Sequence, residues 1–337
     1  MTTQQPNTSG GPSHDTSYSG ERCSRKRVAH DCSSTPPSTR RRLSNASLVL
    51  PYQPPHPLSI NGLIRKHCRD RLYVHPLQWT SQHLELLGCR FVCHDEVAMF
   101  PSQQLGSSLP LPSEAIIHAA INRLRHPSMR KYEAPTVQIF LEACNAIPLL
   151  GRSSLSFNFE QKTVATVPTS GIFTRRSGRL SPTLAYLDLN RVGLERYQSI
   201  KPPKRFSPPV DRIKQKQRCR FQPSDEAEDP YIAAVLVALA QGLQHRQRIA
   251  NGPVDDLDSA ELAGQSDESF QVRLLALASE ERSLYFYTAT IPGTWLDGLN
   301  EPSRYRETDI LRVSYCRIKL RACTRTVQQM KDVVKIL

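Results

Sequence analysis

A long apolar stretch at residues 229–250 constrains the fold of this chain more than any other feature. Its sequence is DPYIAAVLVALAQGLQHRQRIA. Asp229 is suited to cap a helix because its carboxylate can accept hydrogen bonds from amides of the first turn, and Pro230 fits the first helical position. Acidic residues precede the stretch and basic residues lie near its end, as the helix dipole favours. The stretch therefore predicts a helix, which residues 251–253 (NGP) end.

The first half of this helix is apolar on every side. Residues 231–240 contain no charged side chain, which predicts burial by neighbouring elements rather than exposure on one face. A membrane-spanning helix needs roughly 18–20 apolar residues, whereas this run has 10. We therefore expect a core helix and no membrane partner.

The segments after the helix are typical of a sheet. Their order predicts strands, a helical turn and a final amphipathic helix: strands at 270–278 and 284–291, a turn at 294–299, a strand at 310–320 and a helix at 324–336. The first two strands form a hairpin by loop length and by their content of β-branched and aromatic residues. The predicted fold class is α+β, with an antiparallel sheet packed on the buried helix.

The rest of the chain divides by composition into three further segments. Residues 1–57 are rich in Ser, Thr, Pro and basic residues and predict a disordered basic tail. Residues 58–190 predict an N-terminal α+β lobe, with helices at 76–87, 114–125 and 136–144 and strands at 89–93, 155–159, 163–167 and 184–189. Residues 191–228 predict a basic, proline-rich linker, and residues 229–337 a C-terminal α+β lobe.

The charge of the chain is unevenly distributed. The net charge is +13, but residues 151–224 hold 15 Lys and Arg against 4 Asp and Glu, a net +11. Residues 225–270 hold 2 basic residues against 10 acidic ones, a net −8. The basic segment is expected to attract an acidic partner, including nucleic acid, or to fold back on the acidic segment beside it.

Eight basic side chains in residues 201–220 are candidates for contact with nucleic acid. They are Lys201, Lys204, Arg205, Arg212, Lys214, Lys216, Arg218 and Arg220. Cations on a flexible segment suffice for phosphate contact, and Phe206 or Phe221 could stack on a base. The alternatives are a solvated linker and a linker neutralised by residues 225–229 and the acidic loop at residues 252–269.

Two basic clusters in the tail resemble a bipartite nuclear import signal. Twelve residues separate the two clusters, which are Arg25, Lys26, Arg27 and Arg40, Arg41, Arg42. An extended linker would let both clusters reach acidic grooves on one import receptor. The pattern predicts a nuclear protein with an import receptor as partner. The alternatives are a solvated basic tail and a cytoplasmic location.

Ser44 follows the second basic cluster. The sequence Arg41-Arg42-Leu43-Ser44 resembles a site for basic-directed kinases. A phosphate on Ser44 would place negative charge beside that cluster and weaken its binding to an acidic groove.

Two patterns offer weak alternatives that involve a metal. Seven His and Cys side chains lie within 28 residues: His67, Cys68, His75, His83, Cys89, Cys93 and His94. Cys89 and Cys93 have a permissible spacing for zinc, but no second pair follows at a standard separation. Glu160 and Lys162 are spaced like a metal-dependent nuclease site, which needs a further acidic residue on a neighbouring strand.

No common catalytic or cofactor motif is present in the sequence. It lacks a GxSxG elbow, a phosphate-binding glycine loop, a dinucleotide fingerprint and HExxH, so no cofactor and no catalytic residue is predicted. The nine cysteines are odd in number and scattered, and no apolar segment follows a basic start. These features favour reduced thiols in an intracellular protein.

Three short phrases resemble a pattern in uncharacterised proteins of filamentous fungi. They are residues 229–234 (DPYIAA), residues 285–292 (YFYTATIP) and residues 295–297 (WLD), within about residues 229–320. The resemblance implies that helix and sheet form one unit, and it implies no activity. The sequence as a whole favours a nuclear, non-enzymatic interaction or regulatory protein of unknown partner, with weak nucleic-acid contact. A nuclease-like enzyme or a zinc-stabilised binding module is the alternative.

Overall fold

A computed structural model describes most of the chain after the basic tail. The described residues are 54–95, 112–126, 132–149, 153–175, 182–201, 207–251, 268–279, 282–305 and 310–336. All of them belong to one compact unit, residues 53–337. The predicted import clusters and Ser44 lie outside the described residues, as do Lys204, Arg205 and the greater part of the acidic segment after residue 251.

The described helices and strands occur in groups along the chain. The helices are α1 (Ile60–Lys66), α2 (Ser81–Leu86), α3 (Glu114–Arg125), α4 (Glu133–Ala143), α5 (Leu189–Ser199), α6 (Pro208–Phe221), α7 (Pro230–Asn251), α8 (Gly293–Asn300) and α9 (Thr324–Ile336). The strands are β1 (Cys89–His94), β2 (Ala146–Pro148), β3 (Ser154–Phe159), β4 (Lys162–Pro168), β5 (Gly171–Arg175), β6 (Pro182–Asp188), β7 (Ser269–Leu277), β8 (Ser283–Pro292) and β9 (Leu311–Lys319). Short 3-10 turns lie at Pro76–Gln78 and Glu226–Glu228.

Seven of the described strands form one mostly antiparallel sheet. Their order is β1-β9-β8-β7-β6-β5-β2. The pairs β1–β9 and β6–β7 are parallel and the other four pairs are antiparallel. Strands β3 and β4 form a separate two-stranded hairpin. The protein thus has the predicted mixed fold of helices and a mostly antiparallel sheet.

Helix α7 lies at the centre of the core on one face of the sheet. Every residue from Tyr231 to Ala240 is at most 2% exposed. The sheet packs on one side of the helix, while the β3–β4 hairpin, α2 and α8 pack on the others. Because neighbouring elements enclose the helix, its first half is apolar on every side even though the apolar run is too short to span a membrane. Within the described residues, no helix is both long and apolar enough to cross a membrane.

The opposite face of the sheet is covered by a second helical layer that the sequence analysis did not predict. Side chains on β7 alternate: Val272 and Leu274 face the α7 side, and Leu275 and Leu277 face α3, α4 and α9. A strand buried on both faces loses the polar–apolar alternation that marks a half-exposed sheet. The result is a three-layer arrangement of helix, sheet and helix.

The two lobes and the linker predicted between them are not separate in the structure. Strand β6, from the predicted N-terminal lobe, pairs in parallel with β7, from the predicted C-terminal lobe. An unpaired strand edge would leave backbone groups without partners, and this pairing satisfies them. The predicted linker at residues 191–228 consists largely of α5 and α6. Composition indicated a linker because both helices are strongly charged.

A buried ion pair holds α5 to the start of α7. Arg196 and Asp229 are 2% and 4% exposed, and the guanidinium donates to both carboxylate oxygens at 2.6 and 2.8 Å. The Nε of Arg196 also donates to the carbonyl of Leu77 at 2.9 Å. Asp229 accepts from the amide of Tyr231, which confirms its predicted capping role. One side chain thus joins three segments of the core.

Replacing Arg196 with Met should destabilise the fold strongly. The change leaves the carboxylate of Asp229 buried without its cation, which costs about 3–5 kcal/mol in the free energy of unfolding. Chemical denaturation measures this difference. On the same helix, Arg191 and Glu195 form an exposed pair at 2.9 Å, so Arg191→Met should cost less than about 1 kcal/mol. Equal losses in the two variants would contradict a special role for the buried pair.

Candidate functional site

Helix α6 carries most of the basic residues that the sequence analysis selected. Ser207 precedes it, and Pro208 and Pro209 occupy its first turn, where a missing N–H costs little. No glycine or proline interrupts residues 210–222, and Lys, Gln and Arg favour helix. The proline pair was predicted to belong to a linker. Proline at the first helical positions, followed by an uninterrupted charged run, is instead typical of the start of a helix.

Three cations form a row along the outer side of α6. Arg212, Lys216 and Arg220 are four residues apart, so they lie on one face of the helix, and all three are exposed. None of them forms an ion pair with any described residue. We call this set the cationic row. Its charge faces solvent and is available to a partner.

The other two cations of α6 turn towards α5. Lys214 donates to the carbonyl of Lys201. Arg218 donates to the carbonyl of Ile200 at 3.0 Å and to the hydroxyl of Tyr197 at 3.1 Å, and its guanidinium lies 3.9 Å from the centre of the Tyr197 ring. These contacts attach α6 to the body of the protein. The cations of α6 that were predicted to contact nucleic acid therefore fall into two groups. One pair attaches the helix to the protein, and the cationic row faces outward.

The acidic residues next to α6 do not neutralise the cationic row. Each of them bonds to a group outside α6: Asp225 to the amide of Ala227, Glu226 to Ser279, Glu228 to the hydroxyl of Tyr315 and Asp229 to Arg196. Helix capping and packing on the sheet therefore occupy these carboxylates. Residues 225–229 therefore do not pair with the basic stretch in the described part of the chain. The acidic loop at residues 252–269, the other part of the predicted alternative, lies largely outside the described residues.

A second group of cations lies at the end of α1 and in the chain that follows it. Lys66, Arg69 and Arg71 are exposed, and we call them the cationic rim. Asp70, between them, accepts hydrogen bonds from His67 at 3.0 Å and from Gln82 at 3.1 Å. The hydrogen bond from His67 is the main cause that lowers the pKa of Asp70, and the positive charge of Arg220 contributes. Arg220 is therefore within electrostatic range of Asp70.

An apolar pocket opens beside the cationic rim. It has a volume of about 200 Å³. Its walls come from α1, α2, the β3–β4 hairpin and the chain between α1 and α2, and include Leu63, Tyr73, Trp79, Phe157 and Ala165. The rings of Trp79 and Phe157 meet edge to face with centroids 5.4 Å apart. Tyr73 and Val164, at 64% and 41% exposure, present further apolar surface at the mouth.

The histidines that line the pocket bond mainly to the backbone, although the Nε2 of His83 is buried without a well-formed hydrogen bond among the described residues. In His75, Nδ1 accepts from the amide of Leu77 at 3.2 Å, and Nε2 lies 3.2 Å from the carbonyl of Thr166. In His83, Nδ1 accepts from the amide of Thr80 at 3.0 Å and caps α2. Burial lowers the pKa of His83, and hydrogen bonds with the backbone of Leu72 and Thr80 partly oppose that effect. The pocket is thus lined by apolar groups and a neutral imidazole.

The predicted metal-binding candidates are not brought together. Among the residues that the structure describes, no group of three or more His, Cys, Asp or Glu side chains is placed to hold a metal ion. His67, His75 and His83 make the contacts given above, Cys89 is buried, and Cys68 and Cys93 are exposed. Sequence proximity failed here because the segment turns several times between its helices and β1.

Glu160 and Lys162 also differ from their predicted arrangement. Glu160 and Gln161 have φ angles of 52° and 60° and form the two-residue turn between β3 and β4. Glu160 therefore lies in the turn, where it accepts from Asn61 at 3.2 Å, and Lys162 begins the next strand. The two side chains do not share one face of a strand, which the nuclease alternative required.

Comparisons of the chain with protein-family models, with curated proteins and with solved structures find no match. The resemblance to proteins of filamentous fungi stays a prediction. The geometry of the cationic row, of the cationic rim and of the pocket is therefore the basis for a functional proposal.

The lowered pKa of His83 predicts a specific dependence of stability on pH. Below the ordinary value of 6.5, the unfolded chain protonates His83 more readily than the folded chain does, so acid favours unfolding. The stabilising contribution is complete above that pH and is lost as the pH falls. Gln at this position can still cap α2 but does not titrate. His83→Gln should therefore lose less stability between about pH 7 and pH 5 than the parent protein, in urea unfolding followed by circular dichroism.

A matched comparison isolates this effect. His75→Gln changes a second histidine of the pocket whose side chain is exposed, so this variant should keep the pH dependence of the parent protein. An identical pH dependence in the parent and in His83→Gln would contradict the assignment.

Proposed function

We propose that the protein is a nuclear, non-enzymatic binding protein that contacts nucleic-acid phosphates through the cationic row on α6. The observation that supports this proposal is the row itself: Arg212, Lys216 and Arg220 are exposed, aligned and without an ion-pair partner among the described residues. Helix formation matters because it converts scattered charges of a linker into a line of fixed spacing.

The dimensions of the row suit a nucleic-acid backbone. Eight residues of helix separate Arg212 from Arg220, about 12 Å at 1.5 Å per residue. One strand of a duplex rises about 3.4 Å per nucleotide along the duplex axis, so the row matches the axial rise of three to four nucleotides. Contacts of this kind position a nucleic acid without reading its sequence. The proposed binding is thus non-specific and sensitive to salt.

An enzymatic function has less support in the described part of the chain. A metal-dependent nuclease needs carboxylates that converge on one ion. Glu160 lies in a turn rather than on the strand where this arrangement would require it. The tyrosine hydroxyls in the core are also unsuited to proton transfer near neutral pH, since burial raises the pKa of Tyr285 to about 12. Binding is therefore the function that the geometry favours.

Neutralising the cationic row should weaken nucleic-acid binding. In the variant Arg212→Gln, Lys216→Gln, Arg220→Gln, the slope of log K against log salt should fall in magnitude by about 2–3, because each phosphate contact contributes about 0.7–0.9. Fluorescence anisotropy of labelled single-stranded and duplex oligonucleotides, between about 50 and 200 mM salt, measures both affinity and slope. Polar replacements on an exposed face should leave the fold intact.

A charge-matched control tests whether position or total charge matters. Arg123→Gln, Arg125→Gln and Lys335→Gln remove three cations from α3 and α9, on the opposite layer of the fold. This control should bind almost as the parent protein does. An equal loss in both triple variants, or no loss in the row variant, would refute the proposed site. Partners captured from cell extract with the same yield before and after nuclease treatment would indicate a protein partner instead.

The nuclear location rests on the basic clusters of the tail. Replacing Arg40, Arg41 and Arg42 with Ala removes the second cluster, and an import receptor that needs both should lose most of its affinity. We expect a tagged variant to redistribute from the nucleus to the cytoplasm by fluorescence microscopy. Replacement of Arg123, Arg125 and Lys335 on α3 and α9 serves as the control. An unchanged distribution of the tail variant between nucleus and cytoplasm would contradict the predicted import signal.

A further inference from the structure

The apolar pocket plays no part in the proposed phosphate contact. Nucleobases carry several hydrogen-bonding groups, and burying such groups without partners costs free energy. The nitrogens of His75 and the Nδ1 of His83 are already engaged by backbone groups. The Nε2 of His83 is buried without a well-formed hydrogen bond among the described residues, and most of the remaining lining is aliphatic or aromatic carbon. A group that enters this pocket must therefore be mainly apolar itself.

The size of the pocket limits the occupant to about one side chain. Its volume is about 200 Å³. Sites for drug-sized ligands measure about 300–1,000 Å³, whereas an apolar cavity of about 150 Å³ holds a single benzene ring. One aromatic or branched aliphatic group fits, and a long acyl chain does not. The edge-to-face pair of Trp79 and Phe157 offers an additional aromatic partner a favourable geometry.

The surroundings of the pocket select for negative charge. Lys66 is two residues beyond the lining residue Ile64, and Arg71 immediately precedes the lining residue Leu72. Arg69 adds positive charge to the same segment, in which Asp70 is held by His67 and Gln82. Glu85 and Glu160, which adjoin the lining residues Leu86 and Phe159, are carboxylates on the other walls. Complementary charge around an apolar centre is the usual arrangement of a protein interface, in which one buried anchor supplies most of the affinity.

We propose that the pocket binds one bulky apolar side chain of an acidic segment in a partner protein, with the cationic rim contacting the flanking carboxylates. The apolar anchor would contact Trp79, Phe157 and Leu63, and Tyr73 and Val164 would cover it at the mouth. The acidic flanks would lie along Lys66 and Arg69. This site goes beyond the phosphate contact of α6 and uses different residues for its affinity.

Synthetic peptides test the two requirements separately on the full-length protein. The probes are fluorescein-labelled peptides in which glutamates flank a central Trp, Leu or Ala, and one in which lysines flank Trp. Burying a large apolar side chain is worth about 1.5–3 kcal/mol. The Trp and Leu peptides with glutamate flanks should therefore bind about tenfold or more tighter than the Ala peptide by anisotropy. The lysine-flanked peptide should not bind measurably.

Two variants address the pocket and its rim. Ala165→Leu places extra carbon in the pocket, since Ala165 lines it and is 9% exposed, and should reduce binding of the Trp peptide to that of the Ala peptide. Lys66→Glu with Arg69→Glu leaves the pocket open but reverses the rim charge, and should weaken the glutamate-flanked Trp peptide by about tenfold or more. Arg123→Glu with Arg125→Glu, on the opposite layer, is the matched control and should bind normally.

Several outcomes would overturn the proposal. Equal affinity for the Trp and Ala peptides would show that charge alone is recognised. Binding that survives reversal of the rim would show that the flanks do not matter. Vesicles of anionic lipid that bind through Lys66 and Arg69, with no binding of the Trp peptide, would assign the surface to a membrane. If Ala165→Leu does not fold, the peptide series and the rim variant still decide the question.

The test also distinguishes this proposal from the proposed function. Ala165→Leu should leave the affinity for oligonucleotides unchanged, and the triple replacement in the cationic row leaves the pocket and Lys66 intact. Loss of one binding activity without the other is therefore the expected pattern. Failure of the peptide experiment alone refutes the pocket and leaves the phosphate contact standing.

Discussion

The buried ion pair between Arg196 and Asp229 is the interaction on which both candidate sites depend. It joins α5 to the first turn of α7 inside the core, and its third hydrogen bond holds the carbonyl of Leu77. Leu77 lies between His75 and Trp79, which line the pocket, and α5 carries the groups that hold α6. A buried pair of this kind contributes little net stability compared with apolar packing, but it is costly to break. It therefore determines where the surrounding segments lie.

The outer surface built on this core separates two kinds of chemistry. The cationic row presents charge on a helix with no buried residue, so its interactions are long-ranged, weak and reduced by salt. The pocket presents apolar surface that gains free energy only by contact and is indifferent to salt. A partner that satisfies both would be attracted by charge and selected by the shape of one side chain.

Local signals predicted the elements that carry their own start, stop and periodicity. Helices α3 and α9, the β7–β8 hairpin and most of α7 lie at the predicted residues, because capping residues, turn residues and apolar spacing act within a few positions of the chain. Helices α5 and α6 were predicted as linker because charge and proline dominate their composition. The predicted helix at residues 76–87 is a 3-10 turn followed by α2, since a single turn of helix leaves almost no periodic pattern.

The sequence by itself determined the buried central helix, the capping role of Asp229, the mixed fold class and the excess of positive charge near residues 201–220. Only the tertiary structure decided which of those charges face outward, because the hydrogen bonds of Lys214 and Arg218 to the end of α5 and the residues after it depend on contacts between helices. The same holds for the single sheet shared by both predicted lobes and for the apolar pocket. A pocket is a space between segments that are distant in the chain, and no local pattern of residues encodes it.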